Sequence, residues 1–345
     1  MNNWLIFRAS FWHLLEGVDL YKAYPVDHHD IFKYTPTFAL FMAPLAIFPA
    51  KIGAVLWSLL GTSLFVYGLF RLPLKESHRR GAMWIALPEF IGSTQGFQSN
   101  IHLAALVVLF WTYLEEKRPW LAALCILSTF FIKIFGVVAL ALLLFSNYSF
   151  KDIKFLGKFT FASLVTSLGL FLAPAVILGF SGLIEQYTIW LAMLKHDAAI
   201  SYGFSLMGVI HAITNGPVPI LPTEAVAGVI MAIVFFLATQ GGERARLLGL
   251  VAVLYYMVLF NHKSESPTFI ICMIGFGIHQ SLVLDKKWRW TLIVMTLFFV
   301  SILFADPFRF LRDDYLNPWA VKVWPFLLLW PLTLIQILKP NEVNN

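Results

Sequence analysis

The sequence predicts an all-α polytopic membrane protein, a transmembrane helical bundle of about ten to twelve membrane segments that include half-length helices. Its composition excludes a soluble fold, because 59% of the 345 residues are apolar and only 13% are charged. An ordinary soluble domain has about 25% charged residues. A helix that crosses a bilayer needs about 20 mostly apolar residues, and the chain contains many such runs. We therefore expect one integral membrane domain over residues 1–345.

Residues 1–35 are expected to form the first extracytoplasmic loop, which opens with a helix lying in the membrane interface. The apolar residues of this helix fall on one stripe: Trp4, Phe7, Phe11 and Leu15. The apolar run is too short to span a bilayer and is interrupted by charge at Arg8 and Glu16. An amphipathic helix of this kind is typical of the boundary between headgroups and acyl chains.

The remaining membrane segments are predicted from continuous apolar runs. They lie at 36–49, 50–71, 81–97, 99–115, 120–146, 158–180, 222–239, 244–261, 267–283, 288–305 and 318–338. The sequence shows no internal repeat, which argues against the common inverted-repeat transporters.

Basic residues cluster in the connectors between these runs, which is the pattern of cytoplasmic loops. The clusters are Arg71, Lys75, Arg79 and Arg80; Lys117 and Arg118; Lys151, Lys154 and Lys158; Arg244 and Arg246; and Lys286, Lys287 and Arg289. The net charge of +6 therefore reflects membrane orientation, and nucleic acid is not expected as a partner. The outer face then holds residues 1–35, the turn at 96–100 and the loops 181–221, 262–266 and 306–317.

This orientation predicts that the run 120–146 crosses the membrane an even number of times, since basic connectors flank it on both sides. A single crossing would place Lys133 near the bilayer centre, at a cost of about 2.5–3.5 kcal/mol. Two half-length helices that meet at Lys133 avoid that cost.

The run 36–49 is predicted not to cross the membrane. As a helix it would span about 21 Å, which is short of a hydrocarbon core of about 30 Å. It also contains Pro36, Pro44 and Pro49. The alternative is that 81–97 is the partial segment, which would place the connector at 71–80 outside.

Candidate catalytic residues lie in the first loop, where Asp19, Asp27 and Asp30 are interleaved with Tyr21 and Tyr34. Carboxylates beside aromatic rings at a membrane surface suit sugar chemistry, because rings pack on the apolar face of a pyranose and a carboxylate can accept a hydroxyl proton. The alternative is a solvated loop with interfacial aromatics. His28 and His29 are adjacent, but the side chains of neighbouring residues do not converge on one metal centre. We therefore expect no metal site there.

Candidate binding residues lie in two further outer segments. Gln98 and Asn100 interrupt two strongly apolar runs, where Ser99 or Asn100 is also a plausible helix N-cap. His262, Lys263 and Glu265 fill a short loop between two spanning runs, and Ser266 is the plausible cap of the helix that Pro267 begins. Lys133, His262 and Lys263 are the cationic side chains available to bind a lipid phosphate.

Several of these segments resemble glycosyltransferase family 87, a family of GT-C-type integral membrane enzymes related to polyprenyl-phosphate-mannose-dependent mannosyltransferases. The resemblance is carried by GVDLYKAYP followed by FKYTPTFALFMAPLAIFP, by the turn with Gln98 and Asn100, by Lys133 and by the ESPTF segment. Together they cover roughly residues 3–270. The resemblance implies a GT-C-like bundle that moves a hexose such as mannose from a polyprenyl-phosphate donor to a glycan or lipid acceptor. It also implies an active site on the extracytoplasmic face of a bacterial inner membrane.

The chain departs from the family at the general base. Counted back from Tyr21, the Asp that serves as base in the family falls on Asn3, and an amide cannot accept a proton. Asp19, Asp27 and Asp30 are the replacement candidates, with Asp19 ranked first because it lies in the best-matched motif. No metal or cofactor is expected, since the donor carries one phosphate.

Two other functions stay open beside hexosyl transfer. The family's first transmembrane helix has no counterpart after Met1, so the resemblance implies a chain that lacks this helix. A transporter or flippase of a lipid-linked glycan would bind the same lipid without cleaving it, and Asn3 favours this alternative. A catalytically inactive accessory subunit would act only with a protein partner.

Overall fold

The structure is a computed structural model that describes residues 1–145, 152–197, 201–239, 241–282 and 288–339. These residues are almost entirely helical and contain no β-strand. The α-helices are α1 Asn2–Glu16, α2 Pro36–Phe41, α3 Ala43–Ala46, α4 Ala50–Arg71, α5 Glu76–Gln95, α6 Asn100–Glu115, α7 Pro119–Ile132, α8 Leu142–Phe145, α9 Ile153–Leu172, α10 Ala175–Asp197, α11 Leu206–Thr214, α12 Ile220–Leu237, α13 Glu243–Leu259, α14 Phe269–Leu282, α15 Arg289–Leu297, α16 Arg309–Leu311 and α17 Trp324–Leu338.

Helix length and apolarity confirm a polytopic helical membrane protein. Within the described ranges, 5 helices are long and apolar enough to cross a bilayer: Ala50–Arg71, Ile153–Leu172, Ala175–His196, Ile220–Leu237 and Val321–Leu338. A sixth candidate span is a pair of helices, Arg289–Ile302 and Asp306–Leu316, bent by 71°. Shorter apolar helices complete the bundle: Asn100–Glu115, Pro119–Ile132, Ile134–Leu144 and Ser266–Leu282. Full-length and half-length segments therefore occur together, as predicted.

The segment 36–49 is broken into two short helices, which confirms that it does not form a continuous spanning helix. Thr35 caps α2, because its side-chain oxygen accepts a hydrogen bond from the Phe38 N–H. Proline is the first residue of α2 and the second of α3, where its missing N–H costs nothing. α5 runs over 20 residues and contains Pro88, but it is not among the helices that are apolar enough to cross a bilayer. The alternative in which 81–97 is the partial segment therefore stays a prediction.

The break predicted at Lys133 is also present. α7 ends at Ile132, Lys133 has extended backbone (φ −146°, ψ 122°), and a 3₁₀ helix follows from Ile134 to Ala141. This 3₁₀ helix packs closely on α7, since a Cβ added at Gly136 would lie 2.5 Å from Thr129 Cβ. The absence of a side chain at Gly136 permits this approach.

The loop predicted at 181–221 is wrong over much of its length, because α10 extends to Asp197 and α11 occupies Leu206–Thr214. Gln186, a polar residue of this stretch, finds partners within the fold. Gln186 accepts from the Leu20 N–H at 3.2 Å and donates to the Val18 carbonyl at 3.1 Å. Its helix can therefore remain apolar on the face that packs on α1 and α2.

The basic connectors meet at one end of the bundle, as their common orientation predicts. Three ion pairs join them or tie them to neighbouring helices: Arg71–Glu116, Lys117–Asp152 and Arg246–Glu115. The hydroxyl of Ser281 is also 3.4 Å from the His78 carbonyl, which links the first connector to the last. Lys151, Lys286 and Lys287 lie outside the described residues. We call this the basic end of the bundle.

The stripe predicted on α1 faces the protein. Trp4, Phe7 and Phe11 are buried, whereas Leu15 is 46% exposed. α1 packs against α2, α3 and α4 in the smaller of two hydrophobic cores. The larger core is built around α6, α13 and α14. Helix α7 contributes to both cores, so the break at Lys133 lies where they meet.

Candidate active site

A polar site forms where three irregular segments of the chain converge. Lys133 Nζ donates a hydrogen bond to Asn100 Oδ1 at 2.8 Å. The hydroxyl of Tyr34 lies 3.2 Å from Ser99 Oγ, and Lys133 Nζ lies 6.0 Å from the centre of the Tyr34 ring. Residues predicted independently in the first loop, the turn before α6 and the break after α7 are thus brought together.

The polar residues before α6 do not cap that helix. Ser99 occupies the N-cap position, but no side-chain hydrogen bond caps α6 there, and its hydroxyl faces Tyr34 instead. Asn100 is only 1% exposed, and its amide oxygen accepts from Lys133. Ser99 is therefore the N-cap residue by position, as predicted, but neither its side chain nor that of Asn100 caps the helix, and both face the site.

Tyr34 is held rigidly by aromatic neighbours. Its ring stacks on Phe38 at 4.4 Å and meets Phe7 edge-on at 5.1 Å. Tyr21 is buried and donates its hydroxyl to the Tyr34 carbonyl at 3.0 Å. Burial raises the pKa of Tyr34 above its usual value, so the hydroxyl stays protonated and available as a donor.

Glu265 lies in the loop between α13 and α14, and its charge acts on two residues of the site. It is the N-cap of the 3₁₀ helix Ser266–Thr268 and forms a reciprocal capping box with Thr268, so the predicted cap at Ser266 is wrong. The side chain of Glu265 is exposed and is an electrostatic neighbour of both Lys133 and Tyr34.

The other two residues predicted in this loop have partners of their own. His262 Nδ1 lies 3.1 Å from Glu224 Oε1 on α12. The backbone N–H of Lys263 donates to Asn261 Oδ1 at 3.0 Å. A phosphate-binding role for His262 and Lys263 stays a prediction.

The three first-loop carboxylates occupy different surroundings. Asp19 Oδ1 accepts from the Tyr21 N–H at 2.8 Å, and Asp27 Oδ2 lies 3.1 Å from His13 Nε2. Asp30 is exposed, its Oδ1 accepts from the Ile31 N–H at 2.8 Å, and its charge acts on Tyr34. The backbone of Asp30 is also a hydrogen-bond partner of His28. Of the three, Asp30 is the one whose charge acts on Tyr34.

Asn3 lies against the turn that leads to Asn100. Its Nδ2 donates to the Gly96 carbonyl at 2.7 Å. A carboxylate at this position would face a carbonyl oxygen, with no proton to share. In the same turn, Phe97 has φ 52°, and the Gln98 N–H donates to the Ser93 carbonyl at 3.0 Å. The family resemblance, counted back from Tyr21, was the only sequence signal for Asn3.

An open apolar groove of about 600 Å³ runs beside the site. Its walls come from α7, α9 and α10, and include Phe130, Phe131, Leu168, Phe171, Tyr187 and Trp190. Two hydrogen bonds tie these walls to the first loop, because Thr35 donates to the Phe131 carbonyl at 2.6 Å and Trp190 donates to the Lys33 carbonyl at 3.3 Å. The groove therefore reaches to within two residues of Lys133 along the chain.

Sequence reasoning missed a buried ion pair behind the Glu265 loop. Lys322 Nζ lies 2.9 Å from Glu89 Oε2 and 2.8 Å from Ser266 Oγ. The side chains of Lys322 and Glu89 are 2% and 9% exposed. The available signal was an ionisable residue inside each of two apolar runs, which is uncommon without a function.

Across the described ranges, no group of three or more His, Cys, Asp or Glu side chains is arranged to hold a metal ion. His28 is buried in the first loop and its Nδ1 has no hydrogen-bond partner there. Burial lowers the pKa of His28.

Comparison with known proteins gives one family match. The model of glycosyltransferase family 87 matches residues 32–261, which is more than half of the chain. Tyr34, Asn100 and Lys133 lie inside the matched range. A comparison with curated proteins gives no match.

Proposed function

Because the chain belongs to glycosyltransferase family 87, we propose that it transfers a hexose from a polyprenyl-phosphate donor to a glycan or lipid acceptor. The reaction site is the cluster of Tyr34, Ser99, Asn100, Lys133 and Glu265. Mannose is the sugar that the family resemblance favours.

One observation carries this proposal: Lys133 is held by Asn100 beside the apolar groove. An ammonium group at this position can bind a lipid phosphate through charge-assisted hydrogen bonds. The groove offers an apolar surface to the isoprenoid chain attached to that phosphate. A donor with one phosphate and a long apolar tail matches both features.

The transfer balances without a cofactor. The oxygen of an acceptor hydroxyl attacks the anomeric carbon, the bond from that carbon to the phosphate oxygen breaks, and the electron pair leaves with the phosphate beside Lys133. The acceptor proton goes to a carboxylate. Inversion at the anomeric carbon needs that carboxylate on the side of the sugar away from the phosphate, by analogy with inverting glycoside hydrolysis.

Asp30 fits the base best, since it neighbours Tyr34 and is exposed. Asp19 and Asp27 are the alternatives. Glu265 and Gln98 are proposed to bind sugar hydroxyls, with Tyr34 packing on the sugar ring.

The proposed active face is extracytoplasmic, in a bacterial inner membrane. Its support is the segregation of charge: the site lies in segments predicted outside, while the ion-paired basic connectors gather at the basic end. Membrane lipids surround the bundle, and the donor enters from them.

The first experiment measures transfer of labelled hexose from a polyprenyl-phosphate donor by the purified protein in lipid. Lys133→Met keeps side-chain length and removes the charge, and we expect it to weaken donor binding by about 10-fold or more, since hydrogen bonds to charged groups contribute about 1.5–3 kcal/mol. Lys117→Met, at the basic end, is the matched control and should leave binding unchanged. Equal donor affinity in wild type and Lys133→Met would contradict the assignment.

Asn3 favours one alternative, a flippase that binds the lipid-linked sugar without cleaving it. Movement of the donor across a vesicle bilayer with no sugar release would establish that function. An inactive accessory subunit would show neither activity and would co-purify with a partner protein.

A further inference from the structure

The buried pair of Lys322 and Glu89 lies outside the proposed reaction site. Lys322 Nζ is 2.9 Å from Glu89 Oε2, and Ser301 Oγ donates to the other oxygen of Glu89 at 3.1 Å. The Lys322 ammonium also lies 5.3 Å from the ring centre of Phe269 and 5.1 Å from that of Phe304. Both charges are thus fully surrounded by protein.

Such a pair is a poor means of stabilising a fold. Removing two charges from water costs about as much as their attraction returns, and apolar replacements are often neutral or stabilising. Ionisable residues inside membrane segments are usually retained for function. We therefore ask which segments of the protein this ion pair joins.

Both ends of the pair lead directly to the proposed site. Glu89 lies on α5, which ends at Gln95 and leads into the turn before Asn100. Lys322 donates its other hydrogen bond to Ser266 Oγ at 2.8 Å, and Ser266 follows Glu265. One ammonium group thus ties the support of Asn100 to the segment that presents Glu265.

We propose that Lys322 is a positioning residue that holds the Glu265 segment in register with the turn before α6, so that Glu265 faces Lys133. The proposal rests on the proposed function, because Glu265 is assigned there to the sugar. Lys322 itself does not touch the substrate.

The test replaces both charges at once, which leaves no unpaired buried charge, although the hydroxyls of Ser266 and Ser301 each lose one hydrogen-bond partner. In Lys322→Met/Glu89→Met we expect a folded protein whose kcat for hexosyl transfer falls by about 10-fold or more. The matched control is Arg246→Met/Glu115→Met, a pair of 2.9 Å at the basic end whose side chains are 12% and 17% exposed. It should keep kcat within about twofold.

A double-mutant cycle with Glu265→Gln separates positioning from a structural role. If Lys322 acts through Glu265, adding Glu265→Gln to the Met/Met variant costs no further activity, because the effects of coupled residues do not add. Fully additive losses, or an equal loss in the control pair, overturn the proposal. If the Met/Met variant does not fold, Ser266→Ala enters the same cycle, since it removes only the hydroxyl that Lys322 binds.

Wild-type behaviour distinguishes the two claims. Absence of turnover in the wild type would refute hexosyl transfer. The same double-mutant cycle would then be measured through the dissociation constant of the polyprenyl-phosphate sugar. Coupling between the Met/Met pair and Glu265→Gln in that constant supports the positioning role, and additivity refutes it.

Discussion

Replacing Asn100 by Asp tests whether the donor phosphate sits at Lys133. The change is nearly isosteric and converts the acceptor that lies 2.8 Å from Lys133 Nζ from an amide into a carboxylate. Because Asn100 is only 1% exposed, the new ion pair is shielded from water. A phosphate must then compete with a carboxylate for the same ammonium group.

The expected penalty follows from that one contact. A hydrogen bond to a charged group contributes about 1.5–3 kcal/mol, and each 1.4 kcal/mol is a factor of about ten in affinity. Asn100→Asp should therefore weaken binding of a polyprenyl-phosphate sugar by about 10- to 150-fold, with the helical fold retained.

The assay is the dissociation constant of the donor for the purified protein in lipid, measured beside Asn215→Asp. Asn215 is an exposed residue in the left-handed conformation after α11, so its replacement adds the same charge far along the chain from Lys133. Equal affinities for wild type and Asn100→Asp would refute the reasoning, because the phosphate would then not depend on Lys133.

Three further outcomes are expected. Gly136→Ala should lower the thermal unfolding temperature, because overpacking at a 2.5 Å approach costs about 1–3 kcal/mol; Gly157→Ala, with open space around its Cβ, should not, and equal shifts would contradict the close packing. Asp30→Asn should reduce hexosyl transfer by about 10²–10⁴-fold while Asp19→Asn retains it; the opposite result would move the base to Asp19. Burial lowers the pKa of His28 in the folded protein. The stability that neutral His28 contributes is therefore present above the unfolded pKa of about 6.5 and is lost as pH falls below that value. Unfolding midpoints measured across this pH range should fall less with acid in His28→Asn than in wild type.

The proposed site is built from irregular backbone. Lys133 lies at a break between helices, Asn100 follows a turn with a left-handed residue, and Tyr34 precedes the broken segment at 36–46. Non-helical backbone at membrane depth is tolerated where it faces protein or a cavity. The interruptions that shorten these helices are therefore the same features that present polar side chains.

The interruptions of the helices could be predicted from the sequence, but the long-range partners of polar residues could not. The break at Lys133 and the lack of a continuous spanning helix over 36–49 followed from charge, length and proline, which act locally. Part of the loop expected over 181–221 is helical instead, to Asp197, and Gln186 within it has its partners at Val18 and Leu20. No pattern within residues 181–197 reveals a partner so distant in the chain.

The sequence by itself determined the helical class, the half-length segments and the gathering of basic connectors at one end. These depend on the free energy of moving each side chain from water into hydrocarbon, which is a property of the residue and its near neighbours. Only the tertiary structure decided which polar groups meet: Lys133 with Asn100, 33 residues away, and Lys322 with Glu89, 233 residues away. Hydrogen bonds and ion pairs act over a few ångströms, so their partners are set by how the helices pack.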